Sequence, residues 1–251
     1  MNSTSIAASL FGLAMALAPG AALHAAELKV LAGGSLTGPL NALAPQFERA
    51  SGHKLTIQFD STPNLIKQAT SEPFDVAVVP VDVFKNADAK AKFVAGPTID
   101  IARVGYSVAV KAGAAKPDIG TPAAFKEALL KAPSIAFLPE SAVGAYILKV
   151  FDRLGIAEAM KAKTKVAATP SAIAPMVAKG EADLGIFLTN VLTEPGVDIA
   201  GPFPGDLQQD LVFTASIAAA SGNAAAAKAL IDYLKSPEAK AVIVAKGMTA
   251  G

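Results

Sequence analysis

The chain has 251 residues, 52% of them hydrophobic and 17% charged, with 22 Lys and Arg against 21 Asp and Glu. That length and composition bury a core, leave room for two modest lobes and exclude a disordered chain. The near-zero net charge, without long runs of one sign, argues against a nucleic-acid surface or a polybasic membrane patch, and a chain without Cys has no disulfide or thiolate chemistry.

The first element is an apolar run, Ile6 to Ala18, broken by Pro19-Gly20 and followed by Leu23-His24-Ala25 before Ala26-Glu27. The run is shorter than the ~20 residues a membrane span needs and is followed by small residues, which reads as an export signal over residues 1–25. The mature protein is then expected to begin near Ala26 and to act outside the cytoplasmic membrane, in the periplasm.

Next comes LKVLAGGSLTGPL, Leu28 to Leu40, around which the chain is organised. Leu28–Ala32 reads as a buried strand, Gly33-Gly34 as a turn, and Ser35 stands before a helix. The N–H groups of the turn, Gly34 among them, and the unpaired first N–H groups of the helix point into one space, which makes a small anion site. The glycine spacing resembles that of a phosphate loop, but Pro39-Leu40 stand where Lys and Ser or Thr would be needed, so nucleotide binding is set aside.

Further strands are expected at Leu55–Phe59, Val76–Val79, Arg103–Val110, Ile135–Leu138, Lys165–Ala167, Leu184–Leu188 and Leu211–Ala219. Helical patterns separate most of them, the signature of βαβ units and parallel sheets. Thr62-Pro63, Thr121-Pro122 and Ser236-Pro237 each place a capping hydroxyl before a proline at the first helical position. Gly155 and Gly180 are expected helix stops. Ser51-Gly52-His53-Lys54 carries the Ser-x-x-Lys spacing of serine acyl-enzymes, but Gly52 interrupts it and a solvated turn is the better reading.

The runs Ile101–Val110 and Leu211–Ala219 are too long for ordinary crossover strands, and each suits a hinge between two sheets. The expected organisation is lobe 1 at residues 26–104 and 214–251 and lobe 2 at residues 105–213, with crossings near Arg103–Gly105 and Asp210–Thr214. A single larger α/β sheet is the alternative.

After the signal only His53 remains, so no His-based triad or zinc site with a second His can be assembled. No cofactor is expected, and an oxygen-ligand metal site at Asp60, Asp82 and Glu140 is the weaker reading of loop carboxylates. What remains is a set of loops after strands: Gly33–Gly38, Asp60–Asn64, Pro80–Asp82, Pro139–Gly144 and Thr169–Ile173. Ligands of open α/β sheets bind outside the carboxyl ends of strands, and converging helix N-termini suit a small anion held by neutral dipoles. Ser61 and Thr62 are read either as ligand donors or as plain helix caps.

At these loops the chain resembles the periplasmic molybdate-binding proteins of ABC importers. The likeness is carried in order by LKVLAGGSLTGPLNALAPQFERASG, FDSTPNLIKQ, FDVAVVPVD, PESAVGAYILKVFDRLG, GEADLGIF and DYLKSPEAKAVIVAKGMTAG. The resemblance implies a type II solute-binding fold: two α/β lobes, each a mixed sheet flanked by helices, joined by two crossover strands, with the ligand between them. It further implies a monomer that hands a small anion to an ABC permease in the membrane, without nucleic acid. Carried over residue by residue, the oxyanion donors are Ser35 in the first loop, Thr62 or Ser61 in the second, and the Val143 N–H in lobe 2.

Three positions depart from the family pattern. Leu188 or Phe187 stands where a tyrosine is expected. Pro170, which has no N–H, falls at a backbone donor position, which shifts that role to Ser171 or Ala172. Asp60 replaces a small neutral residue, and an ionised carboxylate facing an anion costs energy unless it turns away or finds a cation. A different small anion, such as an organic carboxylate, is therefore the alternative ligand. The alternative classes are an enzyme on the same scaffold using Ser35 or Asp60, and a non-transport sensory or interaction module.

Overall fold

The computed structural model describes residues 25–251, so the export signal expected at residues 1–25 lies, but for its last residue, outside the described residues. In chain order the elements are β1 (Glu27–Gly33), α1 (Thr37–Ser51), β2 (Lys54–Asp60), α2 (Thr62–Ser71), β3 (Val76–Pro80), α3 (Ala87–Lys90) and β4 (Ile99–Lys111). They continue with α4 (Pro122–Lys131), β5 (Ile135–Phe137), α5 (Ala142–Leu154), α6 (Ala157–Lys163), β6 (Thr164–Val166), α7 (Ile173–Ala178) and β7 (Leu184–Leu188). The chain closes with α8 (Thr189–Leu192), β8 (Val197–Pro202), β9 (Asp210–Ile217), α9 (Ala224–Leu234), α10 (Pro237–Ala245) and β10 (Thr249–Ala250). No helix among the described residues is long and apolar enough to cross a membrane.

The strands form one path, β2-β1-β3-β9-β4-β7-β5-β6, with β8 and β10 also paired to β4. The pivot is β4. Ile99–Gly105 pairs antiparallel with β9, whereas Tyr106–Val110 pairs with β7 and Ser107–Lys111 with β8. One long strand thus serves two strand groups and changes partners between Gly105 and Tyr106. The side chain of Gln208, just ahead of β9, ties both backbone groups of Tyr106: Oε1 accepts the Tyr106 N–H and Nε2 donates to the Tyr106 carbonyl, each at 2.9 Å. Gly105 makes room for it, since a Cβ there would come within 2.8 Å of Gln208 Nε2.

Within each group the strands that precede helices run parallel, β1 with β2 and β3, and β5 with β6 and β7. Their carboxyl ends therefore face the same way. β3 and β7, covered on both faces, are buried at every position, which is why they read as unbroken apolar runs rather than as alternation. The core is continuous across β4, from Leu28, Leu43 and Phe47 on one side to Phe125, Phe137 and Phe151 on the other.

The expected strands are found within one or two residues of their ends, except that β4 begins at Ile99, four residues ahead of the expected Arg103. Two strands were not expected: β8 carries only half-buried and exposed residues and ends in Gly-Pro, and β10 has two residues. Thr121 and Ser236 cap α4 and α10 as the Thr-Pro and Ser-Pro pairs predict, accepting from Ala124 N–H and Ala239 N–H. At α2 the register differs: Ser61 is the N-cap, Thr62 the first helical residue and Pro63 the second. A proline at the second position is equally free of cost, because that N–H has no partner in a helix. Gly155 ends α5 and Gly180 follows α7, both with positive φ (67° and 76°). Gly52 turns left-handed after α1, but His53 is not a solvated turn residue. It is buried, and its Nδ1 accepts the Ala26 N–H at 3.1 Å.

Candidate functional site

The carboxyl ends of β1, β2, β5 and β6 open onto one cleft of about 910 Å³. Its walls include the loops at Gly33–Gly38, Asp60–Asn64, Leu138–Val143 and Ala168–Ser171, with α8 and the end of α10 along one side. The four loops carry no Lys or Arg. Among the described residues, those lining the cleft include the carboxylates Asp60, Glu140 and Glu194 and a single cation, Lys246. Among the described residues no group of three or more His, Asp or Glu side chains is placed to hold a metal ion.

The hydroxyls in the two halves of the cleft are in different states. Ser35 sits in a single 3₁₀ turn, Gly34–Leu36, that joins β1 to α1; the turn is closed by Thr37, whose hydroxyl donates to the Gly34 carbonyl at 2.7 Å. Ser35, Ser61 and Thr62 have hydroxyls with no hydrogen bond to another described residue. Across the cleft, Ser141 donates to the Leu138 carbonyl and accepts the Gly144 N–H, at 2.8 and 2.9 Å. Thr169 and Ser171 pair with each other at 3.1 Å.

Backbone donors complete the set. At the start of α2 the Leu65 N–H bonds the Ser61 carbonyl and Pro63 has no N–H, which leaves the Thr62 and Asn64 N–H groups free. At the start of α5 the Gly144 and Ala145 N–H groups are taken by Ser141, which leaves those of Ala142 and Val143. In the fourth loop the Ala172 N–H bonds the Thr169 carbonyl; of the two residues expected to take over from Pro170, Ser171 is therefore the one with an N–H to offer. Gly144 lets α5 start this close beneath its loop: a Cβ there would lie 1.9 Å from the Leu138 carbonyl oxygen.

Asp60 neither faces the cleft unpaired nor finds a cation. Its Oδ1 accepts the Ser61 N–H and the Asn64 side-chain N–H, both at 2.7 Å, and its Oδ2 accepts from Gln68 Nε2 at 2.9 Å. A carboxylate held by three donors at the start of α2 also meets the positive end of the helix dipole.

Of the residues singled out in the sequence, Gly34, Ser35, Ser61, Thr62, Val143 and Ser171 all line the cleft, and Leu188 does not. Leu188, the last residue of β7, lies opposite Tyr106 with no exposed surface, while its neighbour Phe187 reaches the lining. Neither Tyr106 nor Tyr146 lines the cleft to supply the missing hydroxyl. Burial pushes both phenols upward from their ordinary pKa, and the Tyr146 hydroxyl donates to the Leu207 carbonyl. A lining residue that sequence reasoning missed is Asn190, on the one-turn helix α8; its only signal was a polar Thr-Asn pair directly after a buried strand.

A two-group α/β molecule with its cleft at the strand ends is the architecture of a periplasmic binding protein. The profile of bacterial extracellular solute-binding proteins matches residues 28–249, and the chain belongs to that family. It is 33% identical to the molybdate-binding protein ModA of Azotobacter vinelandii, over 95% of this chain and 97% of that one. It is also 32% identical to an aconitate isomerase of a Pseudomonas species, over 91% and 89%. Among solved structures, the periplasmic molybdate-binding protein of A. vinelandii superposes with a TM-score of 0.71 at 24% identity, over 88% of this chain and 98% of that chain. The substrate-binding domain of a molybdenum ABC transporter component of Clostridium difficile gives 0.70 at 19%, over 90% and 99%. The fold is thus the two-lobed one of these proteins.

Proposed function

We propose that the protein is a periplasmic receptor that captures a small oxyanion of the molybdate or tungstate class between two lobes and delivers it, as a monomer, to an ABC permease. The observation that carries this reading is the donor set: free hydroxyls on Ser35, Ser61 and Thr62 and free N–H groups on Val143 and Ser171, all on residues that line one cleft, on loops without Lys or Arg. Neutral dipoles at helix N-termini hold an anion without a counter-charge, which leaves it releasable. The lobes are residues 26–104 with 214–251, and 105–213; closure about β4 brings the two halves of the donor set onto one ligand. The ModA relatives support the ligand class.

A second reading, an organic polycarboxylate, is favoured by the cleft volume of about 910 Å³ and by the absence of a tyrosine hydroxyl at Phe187–Leu188. The aconitate isomerase relative fits that alternative. Binding is preferred over catalysis at Ser35 or Asp60, because among the described residues no base is hydrogen-bonded to the Ser35 hydroxyl and Asp60 is occupied by three donors.

A thermal-shift titration against molybdate, tungstate, sulfate, phosphate, cis-aconitate and trans-aconitate tests the reading. A ligand that binds only the folded protein raises its melting temperature by mass action. A shift with molybdate and tungstate alone supports the first reading, and one with carboxylates alone moves the assignment to the second. Proton NMR of cis-aconitate with the protein is expected to show no conversion; turnover would replace both readings with an enzyme.

A further inference from the structure

We infer that Asn190 is a ligand donor from the second lobe, taking the place of the hydroxyl absent at Leu188, and that it also latches the first loop. The inference rests on the reading of the cleft as the anion site. Asn190 lines that cleft, two residues after the fully buried Leu188. Its Nδ2 donates to the Ser35 carbonyl at 2.7 Å, a bond between residues 155 apart in sequence that joins the strand group of β7 to that of β1. A carbonyl can only accept, so this bond fixes which end of the amide faces Ser35.

The amide is left half used. Its NH₂ group has a second hydrogen with no acceptor among the described residues, and its Oδ1 is buried without a donor. The spare N–H is a donor that an anion can take up, whereas the buried Oδ1 is itself an acceptor and is not satisfied by one. Ser35 supplies the geometry: its carbonyl holds one Asn190 N–H, while its hydroxyl is free for a ligand. Both residues line the cleft, and the spare Asn190 N–H is the donor assigned to an anion seated on the Ser35 hydroxyl. Gly247, just past α10, lies against α8 beside Asn190: a Cβ on it would be in van der Waals range of Asn190 Cα, at 3.4 Å. The ligand class is an anion with acceptor oxygens, whether a metal oxyanion or a carboxylate. A carboxylate side chain at this position would face both the Ser35 carbonyl and the anion, and would repel them.

The test compares the full mature chain with its Asn190→Ala, Asn190→Asp and Ser35→Ala variants. Titration calorimetry with molybdate and with trans-aconitate reads affinity, and ligand-free melting reads the structural role. For whichever probe binds, Ser35→Ala and Asn190→Ala are each expected to weaken binding about tenfold and Asn190→Asp at least a hundredfold. The ligand-free melting temperature of Asn190→Ala should fall only slightly, by the loss of the one bond to the Ser35 carbonyl. If Asn190→Ala binds like the parent while Ser35→Ala is weakened, the inference is wrong and the site reading stands. Lowered melting with unchanged affinity would make Asn190 a structural tie only, which also overturns it. If neither probe binds the parent, or Ser35→Ala changes nothing, the site reading fails and the inference falls with it.

Discussion

The two halves of the cleft use the same residue types in opposite ways. In the half after β5 and β6, hydroxyls serve the fold: Ser141 caps α5, and Thr169 and Ser171 satisfy each other. In the half after β1 and β2 that task falls to Thr37, which closes the first turn, and to Asp60, which accepts the Ser61 N–H and the Asn64 and Gln68 side chains. Ser35, Ser61 and Thr62 keep free hydroxyls. The carboxylate that looked hostile to an anion is occupied by three donors of its own segment. It follows that the first half offers the ligand mainly hydroxyls, and the second half backbone N–H groups and the Asn190 amide.

The largest expected effect comes from breaking the second half. Gly144→Ala drives a Cβ into the Leu138–Pro139 backbone, and overpacking against backbone rather than a flexible side chain should cost on the order of 3 kcal/mol and abolish ligand binding. Chemical denaturation with calorimetry checks both. Next is Asp60→Ala, which leaves three donors without their acceptor and should cost about 2 kcal/mol. Anion affinity should fall with it as the Ser61–Asn64 segment loses the carboxylate that holds it. A third pair of variants crosses the comparison. Ser141→Ala should lower stability by about 1 kcal/mol and leave anion affinity within about twofold, since its hydroxyl is already spent. Thr62→Ala should leave stability within about 0.5 kcal/mol and weaken the anion about tenfold, about 1.4 kcal/mol.

The smallest effect lies away from the cleft, at Glu48. The Leu55 backbone N–H and then Lys54 hold its carboxyl below the usual carboxylate pKa. A carboxyl with a depressed folded pKa contributes stability that is present above its unfolded pKa and is lost as pH falls through the lower folded value. Glu48→Gln should therefore reduce stability at neutral pH slightly and flatten the acid limb of a melting-temperature profile below the usual carboxylate range, without changing anion affinity at pH 7.

Much of this was legible in the residues. The buried strands announced themselves as apolar runs, the cleft loops as the segments that follow them, and the dual role of β4 in its unusual length. Three things were not. Ser61 and Thr62 exchanged roles because a Thr-Pro pair fits a helix start in two registers. The service of Asp60 depends on Asn64 and Gln68 reaching back one and two turns of α2, which a sequence offers only as one possibility among many. The tyrosine position was followed to Leu188, yet β7 turns that side chain into the core, and the polar group on the cleft arrives two residues later on a helix too short for any periodic signal.

The most direct measurement is titration calorimetry of the anion that stabilises the protein against three forms: the parent, a Ser35→Ala/Thr62→Ala double variant, and Ser141→Ala. The account predicts one site per chain in the parent, binding weakened about a hundredfold in the double variant, and binding retained in Ser141→Ala. Undiminished affinity in the double variant, or a loss in Ser141→Ala as large as in the double variant, would contradict it.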